Sequence, residues 1–486
     1  MTTEEQGVVF PSTGDGKRST SALGRAVLAD ALRAHDPSGA RSAEQETNWR
    51  AGYLAHFRRA VESGLDSRAA ALSIADDGLA SLHDRMRVAT SDRGDVPLGE
   101  WSATSSLATT EVRGTGQPET LFSLPYRGRR LRGDTLHRQL DAWVEAGVIE
   151  PTAAEAVHTV MDHPDWLRAE GHTVAVLGAG AEMGPLQALL HWGARVAAVD
   201  LPRPQIWTRI LETARSGAGT LVVPVAAGVA EPDPDHAGVD LTTDAPAVAD
   251  WLGGLDGRVV VGNYVYADGA TNVRVAVAVD ALTTRLLAAR DDVALSFLAT
   301  PTDVFAVPAD AVRQSTAAYA GRSRTAKTLG RPLRAVSAGR LMRRAYLPDA
   351  DPGINDSLVP QQGPNYALAK RLQRLRATVA RDAGTTVSMN VAPPTRTRSV
   401  VKNRALAAAY AGAHRFGVEV FEPATSNVLM AALLVHDLHT GGGPVHEQPW
   451  QDEAYAAAHG GLWRTPYAPR SALGLAALLG YGAARG

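Results

Sequence analysis

The sequence predicts an α/β fold: a doubly wound, mainly parallel sheet over residues 169–486, preceded by a mainly helical N-terminal region. Three observations predict it. From Gly171 onward, short β-branched runs alternate with helical stretches, and strands that alternate with helices form parallel sheets covered on both faces. The first of these runs ends in a glycine-rich turn, and the second ends on an acid, Asp200. Before Gly171 the apolar residues fall three and four apart instead, which is the spacing of helices.

Taken in order, residues 1–21 are polar and rich in Gly, Ser and Thr, and are expected to be a disordered tail. Residues 22–168 form the helical N-terminal region, with amphipathic stretches at Ala51–Ala60 and Leu65–Ala80. Trp101–Leu124 reads as irregular. Gly133–Gly147 and Thr152–Asp162 make a helix pair split at Pro151. Such a pair can read DNA, but the charge balance favours plain helical packing. Six strands follow, at Thr173–Leu177, Arg195–Val199, Thr220–Val225, Arg258–Val261, Val293–Leu298 and Thr386–Val391. An insertion at about 305–360 precedes the last of them. It is basic, with Arg322, Arg324, Lys327, Arg331, Arg334, Arg340, Arg343 and Arg344.

Composition narrows the function classes. At 486 residues, 45% hydrophobic, the chain can bury a core without staples. Its 49 basic and 51 acidic residues give a net charge of −2, without the basic excess of a nucleic-acid binder. The absence of cysteine excludes disulfides, thiolate zinc sites and cysteine nucleophiles. The 14 histidines show no metal-ligand spacing, so no metal site is expected. No apolar stretch approaches the roughly 20 residues that span a bilayer, and the first residues lack a secretory pattern. The expectation is a cytoplasmic protein with a small-molecule substrate, binding neither nucleic acid nor membrane.

The chemistry concentrates in His172–Asp200, HTVAVLGAGAEMGPLQALLHWGARVAAVD. Gly178 and Gly180 permit a tight turn and close approach to a pyrophosphate, with Ala181, Glu182 and Met183 completing the loop. Gly184 lets the next helix pack on the strand, and that helix start offers free N–H groups. Asp200, twenty residues after Gly180, is placed to accept from the adenosine ribose hydroxyls. A carboxylate there repels a 2′-phosphate and favours NAD, while the nearby Arg203 keeps NADP open. S-adenosylmethionine-dependent methyltransferases use the same glycine turn and acid, so the loop alone does not separate the two chemistries.

With these residues the chain resembles the short-chain dehydrogenase/reductase family, whose fold is an NAD(P)-binding Rossmann domain. Gly178 and Gly184 match the outer glycines of its first motif, and Glu182 replaces the middle one. Asp240 and Leu241 match an acid–aliphatic pair that touches the adenine. Asn263 survives from the motif after the fourth strand. In NYALAKRL, Tyr366 and Lys370 match the YxxxK motif, and residues four apart share a helix face. In TVSMNVAPPTRT, Pro393 begins the turn that meets the nicotinamide, with Pro394 where the family has glycine.

The resemblance implies hydride transfer between a nicotinamide and a small alcohol or carbonyl. Tyr366 would be the acid/base, and Lys370 would hold the ribose and lower the tyrosine pKa. A Ser or Thr would polarise the carbonyl: Thr300, Thr302 or Ser357, with Ser357 preferred because it lies closer to Tyr366 in the chain. A homo-oligomer is expected from the same resemblance. A dinucleotide-binding protein without catalysis is the further alternative. Two other stretches are candidates: Asn263–Asn272, just past a strand end, and Arg396, Arg398 and Lys402, which could clamp a phosphate or carboxylate.

Overall fold

The computed structural model describes residues 6–12, 16–229 and 231–482. Its first element corrects the expectation of a disordered tail. Strand β1 (Gly7–Val9) pairs antiparallel with β2 (Arg87–Thr90), which pairs with β3 (Gly94–Pro97). Val8 and Val9 are fully buried. Two valines in a polar stretch find a partner strand far along the chain, which local composition does not reveal. Residues 1–5 and 13–15 lie outside the described residues.

The helices expected in the N-terminal region form, at Trp49–Gly64, Arg68–Arg85, Asp134–Glu145 and Pro151–Asp162 among others. The stretch expected to be irregular contains β4 (Ala108–Arg113), and a small ladder of β5 (Leu124–Tyr126) and β6 (Arg129–Leu131) follows. β4 is half exposed and rich in Thr and charge, as suits an edge strand wet on one face.

The main sheet is built from β7 (His172–Leu177), β8 (Arg195–Val199), β9 (Thr220–Val225), β10 (Arg258–Asn263), β11 (Ala294–Ala299) and β14 (Thr386–Val391). Two short strands of the insertion, β12 (Val304–Val307) and β13 (Gly353–Asp356), pair with each other outside it. The main order is β14-β11-β10-β7-β8-β9-β4, with β4 antiparallel and the other six parallel. β4 therefore ties the N-terminal region into the same sheet as residues 169–486.

The parallel strands are apolar on both faces, and both are covered. Ala175, Leu177, Val261, Phe297 and Met389 pack beneath the helices Leu241–Gly253, Ala270–Ala289 and Gly363–Asp382. Val174, Val176, Val196 and Val260 face Leu186–Trp192, Pro204–Ser216 and Pro423–Thr440. Strand succession runs one way from β7 to β9 and the other way from β10 to β14. That reversal falls between β7 and β10, and it is outside the carboxyl ends of the strands at such a point that open α/β sheets bind ligands. Among the described residues no helix is long and apolar enough to cross a membrane, and no group of three or more ligating side chains could hold a metal.

One buried ion cluster positions the next elements. Asp303, just past β11, accepts from Arg371 at 2.7 Å and from Arg374 at 2.7 Å. Arg374 also forks onto Glu453 at 2.7 and 2.6 Å. Burial pushes the Asp303 carboxyl up, but the two guanidiniums more than offset it and hold the group below the ordinary carboxylate range. Removing one partner from such a cluster leaves uncompensated buried charge. Asp303→Asn is expected to lower unfolding free energy by about 3–5 kcal/mol, measured by urea denaturation; a loss below 1 kcal/mol would show that the cluster does not hold the fold.

Candidate functional site

The glycine turn lies at the strand reversal, after β7. Gly178 has φ +83°, and a Cβ there would lie 3.0 Å from the backbone of Tyr264 and Val265, so the turn crosses directly over the segment leaving β10. The amides of Gly178 and Ala179 donate to the Val199 carbonyl at 2.8 and 3.1 Å. Gly180 donates to Asp200 Oδ2 at 2.7 Å, while Asp200 Oδ1 accepts from Leu201 N at 2.7 Å. Asp200 thus stitches the turn to the end of β8. Burial raises its pKa, the largest influence, against those two amide bonds. Among the described residues, the amides of Glu182 and Met183 at the crest of the loop donate to no protein acceptor. Gly184 makes only ordinary contacts with Val176 and Tyr264, and its carbonyl accepts from Asn427.

The second half of the site lies at the carboxyl end of β11. Helix Gly363–Asp382 carries Tyr366 and Lys370 one turn apart. Thr300 is close enough to the Tyr366 phenol to act on it, and Thr300 Oγ1 lies 2.8 Å from Thr302 Oγ1. Tyr266 meets Tyr366 edge-on at 6.2 Å between ring centroids, and Tyr410 is near enough to act on the same phenol. The Lys370 ammonium donates to Gln373 Oε1 at 3.1 Å and to the Leu298 carbonyl at 3.4 Å. Gln373 passes the contact on, donating to Asn263 Oδ1 at 3.0 Å. Lys370 has no carboxylate partner among the described residues, and burial alone brings it down to about 8.

Several expectations change. Ser357, preferred for its closeness in the chain, spends its hydroxyl on Asn355 Oδ1 at 2.5 Å in the β13 segment. The residue at Tyr366 is Thr300, because helix Gly363–Asp382 packs back over β11 and the insertion folds away to the side. Lys370 does not lower the Tyr366 pKa: burial, the largest influence, raises it, with only Thr300 opposing. Asp240, expected at the adenine, instead caps helix Leu241–Gly253, accepting from Thr242 N at 2.8 Å and Thr242 Oγ1 at 2.7 Å. Leu241 is buried in the core. Asn272 accepts from Ala267 N at 3.0 Å, closing its own loop.

The Pro393 carbonyl accepts from Thr395 at 2.8 Å, and Pro394 is accommodated because Gly460 lies against it, where a Cβ would be 2.3 Å from Pro394 Cδ. Gln373 and Tyr410 escaped the sequence reading. Gln373 was visible only as a polar residue three after Lys370 on the same helix face. Nothing in the sequence brings Tyr410 to the site.

No known protein family matches the chain, and no curated protein does. Among solved structures, a thiolation-reductase di-domain from an archaeal non-ribosomal peptide synthetase aligns with a TM-score of 0.29 and 12% identity. That alignment covers 50% of this chain and 47% of that one. Similarity at this level identifies neither a family nor an activity.

The lone lysine has a measurable cost. Its folded pKa of about 8 lies below the 10.5 of an unperturbed lysine, so the unfolded chain binds more protons between those values. Stability should therefore rise with pH across that window. Lys370→Met removes the burial penalty. It is expected to be more stable at pH 7, by about 2 kcal/mol, and to flatten the rise. Urea unfolding at pH 7 and near pH 10 checks both effects; a variant destabilised at both pH values would refute them.

Proposed function

We propose that the chain holds a nicotinamide dinucleotide at the carboxyl ends of the sheet, in a Rossmann arrangement, and reduces a small carbonyl substrate. The observation that carries this is the convergence of Thr300, Tyr366 and the half-buried Lys370, which has no carboxylate partner among the described residues, along the same strand ends as the glycine turn and Asp200. The residues fit the cofactor. The free Glu182 and Met183 amides suit a pyrophosphate oxygen. Each Asp200 oxygen accepts one backbone bond and keeps a lone pair for a ribose hydroxyl. The carboxylate disfavours a 2′-phosphate, so NAD is the expected form. Lys370, held by the neutral acceptors Gln373 and Leu298, is free to trade one of them for a ribose hydroxyl.

When bound, the dinucleotide supplies the hydride. The chain supplies the proton and the orientation. Burial keeps the Tyr366 phenol protonated at neutral pH, which suits donation to a carbonyl oxygen better than abstraction from an alcohol. The Thr300 hydroxyl, beside that phenol and paired with Thr302, can turn to the same oxygen and polarise it. The Tyr266 ring meets the phenol edge-on.

The test is calorimetric titration with NAD, NADH, NADP, NADPH and S-adenosylmethionine, followed by a carbonyl screen read as loss of NADH absorbance. Asp200→Ala is expected to weaken NADH by about tenfold. Tyr366→Phe is expected to lower reduction by at least about 100-fold with NADH affinity unchanged. Binding of S-adenosylmethionine alone would sink the proposal in favour of methyl transfer. Dinucleotide binding that no Tyr366 or Lys370 variant disturbs, without turnover, would favour a non-catalytic binding protein.

A further inference from the structure

After β14 the chain crosses the site. β14 is three strands away from β7 in the sheet order, about 14 Å at the usual strand spacing. Yet Arg398, seven residues past Val391, touches the loop that follows β7. Its backbone amide donates to Glu182 Oε2 at 2.7 Å, and its guanidinium Nε pairs with Glu182 Oε1 at 3.0 Å. Residues 392–398 thus run from the end of β14, past Ala299 at the end of β11 and along Phe421, to the loop after β7, and their far end is tied to that loop by one acid. Arg396 and Lys402 lie on the same exposed segment and form no ion pair among the described residues.

Glu182 is an odd residue for this position. It stands between the free amides and the strap, where a pyrophosphate would have to lie, and a carboxylate there opposes a phosphate. The pair it forms with Arg398 is exposed on the arginine side, 69% against 28% for the glutamate, and such pairs are weak and readily exchanged. Resting on the dinucleotide reading above, we propose that Glu182 is an internal competitor for Arg398. It holds the guanidinium while the site is free, and a pyrophosphate takes its place, with Arg398 becoming a phosphate ligand. Arginine suits the exchange because its fork accommodates carboxylate and phosphate oxygens alike.

The experiment titrates the full chain with NADH, following nucleotide fluorescence, for the wild type, Glu182→Gln, Arg398→Gln and the double variant. Glu182→Gln is expected to tighten binding by about threefold to tenfold, and Arg398→Gln to weaken it by about tenfold. In the Arg398→Gln background the gain from Glu182→Gln should shrink to about twofold or less. Wild-type binding that Glu182→Gln leaves equal or weaker would overturn the proposal while leaving the dinucleotide reading intact. Failure of every variant to bind any nicotinamide dinucleotide would overturn both. Amide hydrogen exchange without nucleotide gives an independent check: Glu182→Gln should speed exchange across residues 396–402, and unchanged exchange would mean that Glu182 does not hold the strap.

Discussion

A carboxylate with almost no access to water, Asp303, sets the geometry on which the site depends. It follows β11 by four residues, so its backbone belongs to the strand end that also presents Thr300. Its two oxygens are taken by Arg371 and Arg374 of the helix Gly363–Asp382. Those arginines share two turns of helix with Tyr366 and Lys370. Anchoring them fixes both the rotation of the helix and its height along the strand, and so places Tyr366 at Thr300. Each charge in the cluster is expensive to bury alone, so the alternatives in which the helix slips or turns are penalised. Arg371 also lies over the Phe57 ring, and Arg374 over Phe305. The cluster thereby clamps the N-terminal helices and the insertion to the same point.

The other half of the site is set by backbone approach. At the strand reversal the turn after β7 must pass over the chain leaving β10, and only a residue without Cβ, in a left-handed conformation, fits at Gly178. Below it, the Tyr264 ring folds under Gly262, where a Cβ would come within 2.4 Å of the ring, and its hydroxyl meets Ser296 Oγ at 2.8 Å. The backbone of the turn and of the segment leaving β10 is therefore held in place by close packing. That is the condition under which free amides and a fixed carboxylate can select a ligand without paying to be ordered.

Against this background Lys370 stands out. Asp303, Asp280 and Glu150 are buried with cationic or histidine partners, whereas Lys370 is held by two neutral acceptors. A half-buried cation whose charge is disfavoured and is not offset by an acid is a mark of functional sites. Its two contacts also connect the end of β11, through Gln373, to Asn263 at the end of β10. A change at any of the three would be felt at both strand ends.

What the sequence determined by itself is what local chemistry can specify. Alternating apolar runs and helical spacing located the six parallel strands, because a strand buried on both faces must be apolar throughout. The glycines and Asp200 marked the turn, because a sharp backbone reversal and an acid at a strand end have short-range signatures. Tyr366 and Lys370 were legible because four residues is one helical turn. Tertiary structure decided everything that joins segments distant in the chain. Val8 and Val9 became a strand only because β2 was there to pair with them, and β4 became part of the sheet only because β9 offered an open edge. Thr300 rather than Ser357 came to Tyr366 because helix packing, not chain distance, sets who is near. Asp240 became a cap because the next helix started there with unsatisfied amides. Glu182 met Arg398 only once the strap had crossed the sheet. In each case the deciding partner lay across a loop or a strand gap, and its energy is gained only when the chain has folded to bring the two together.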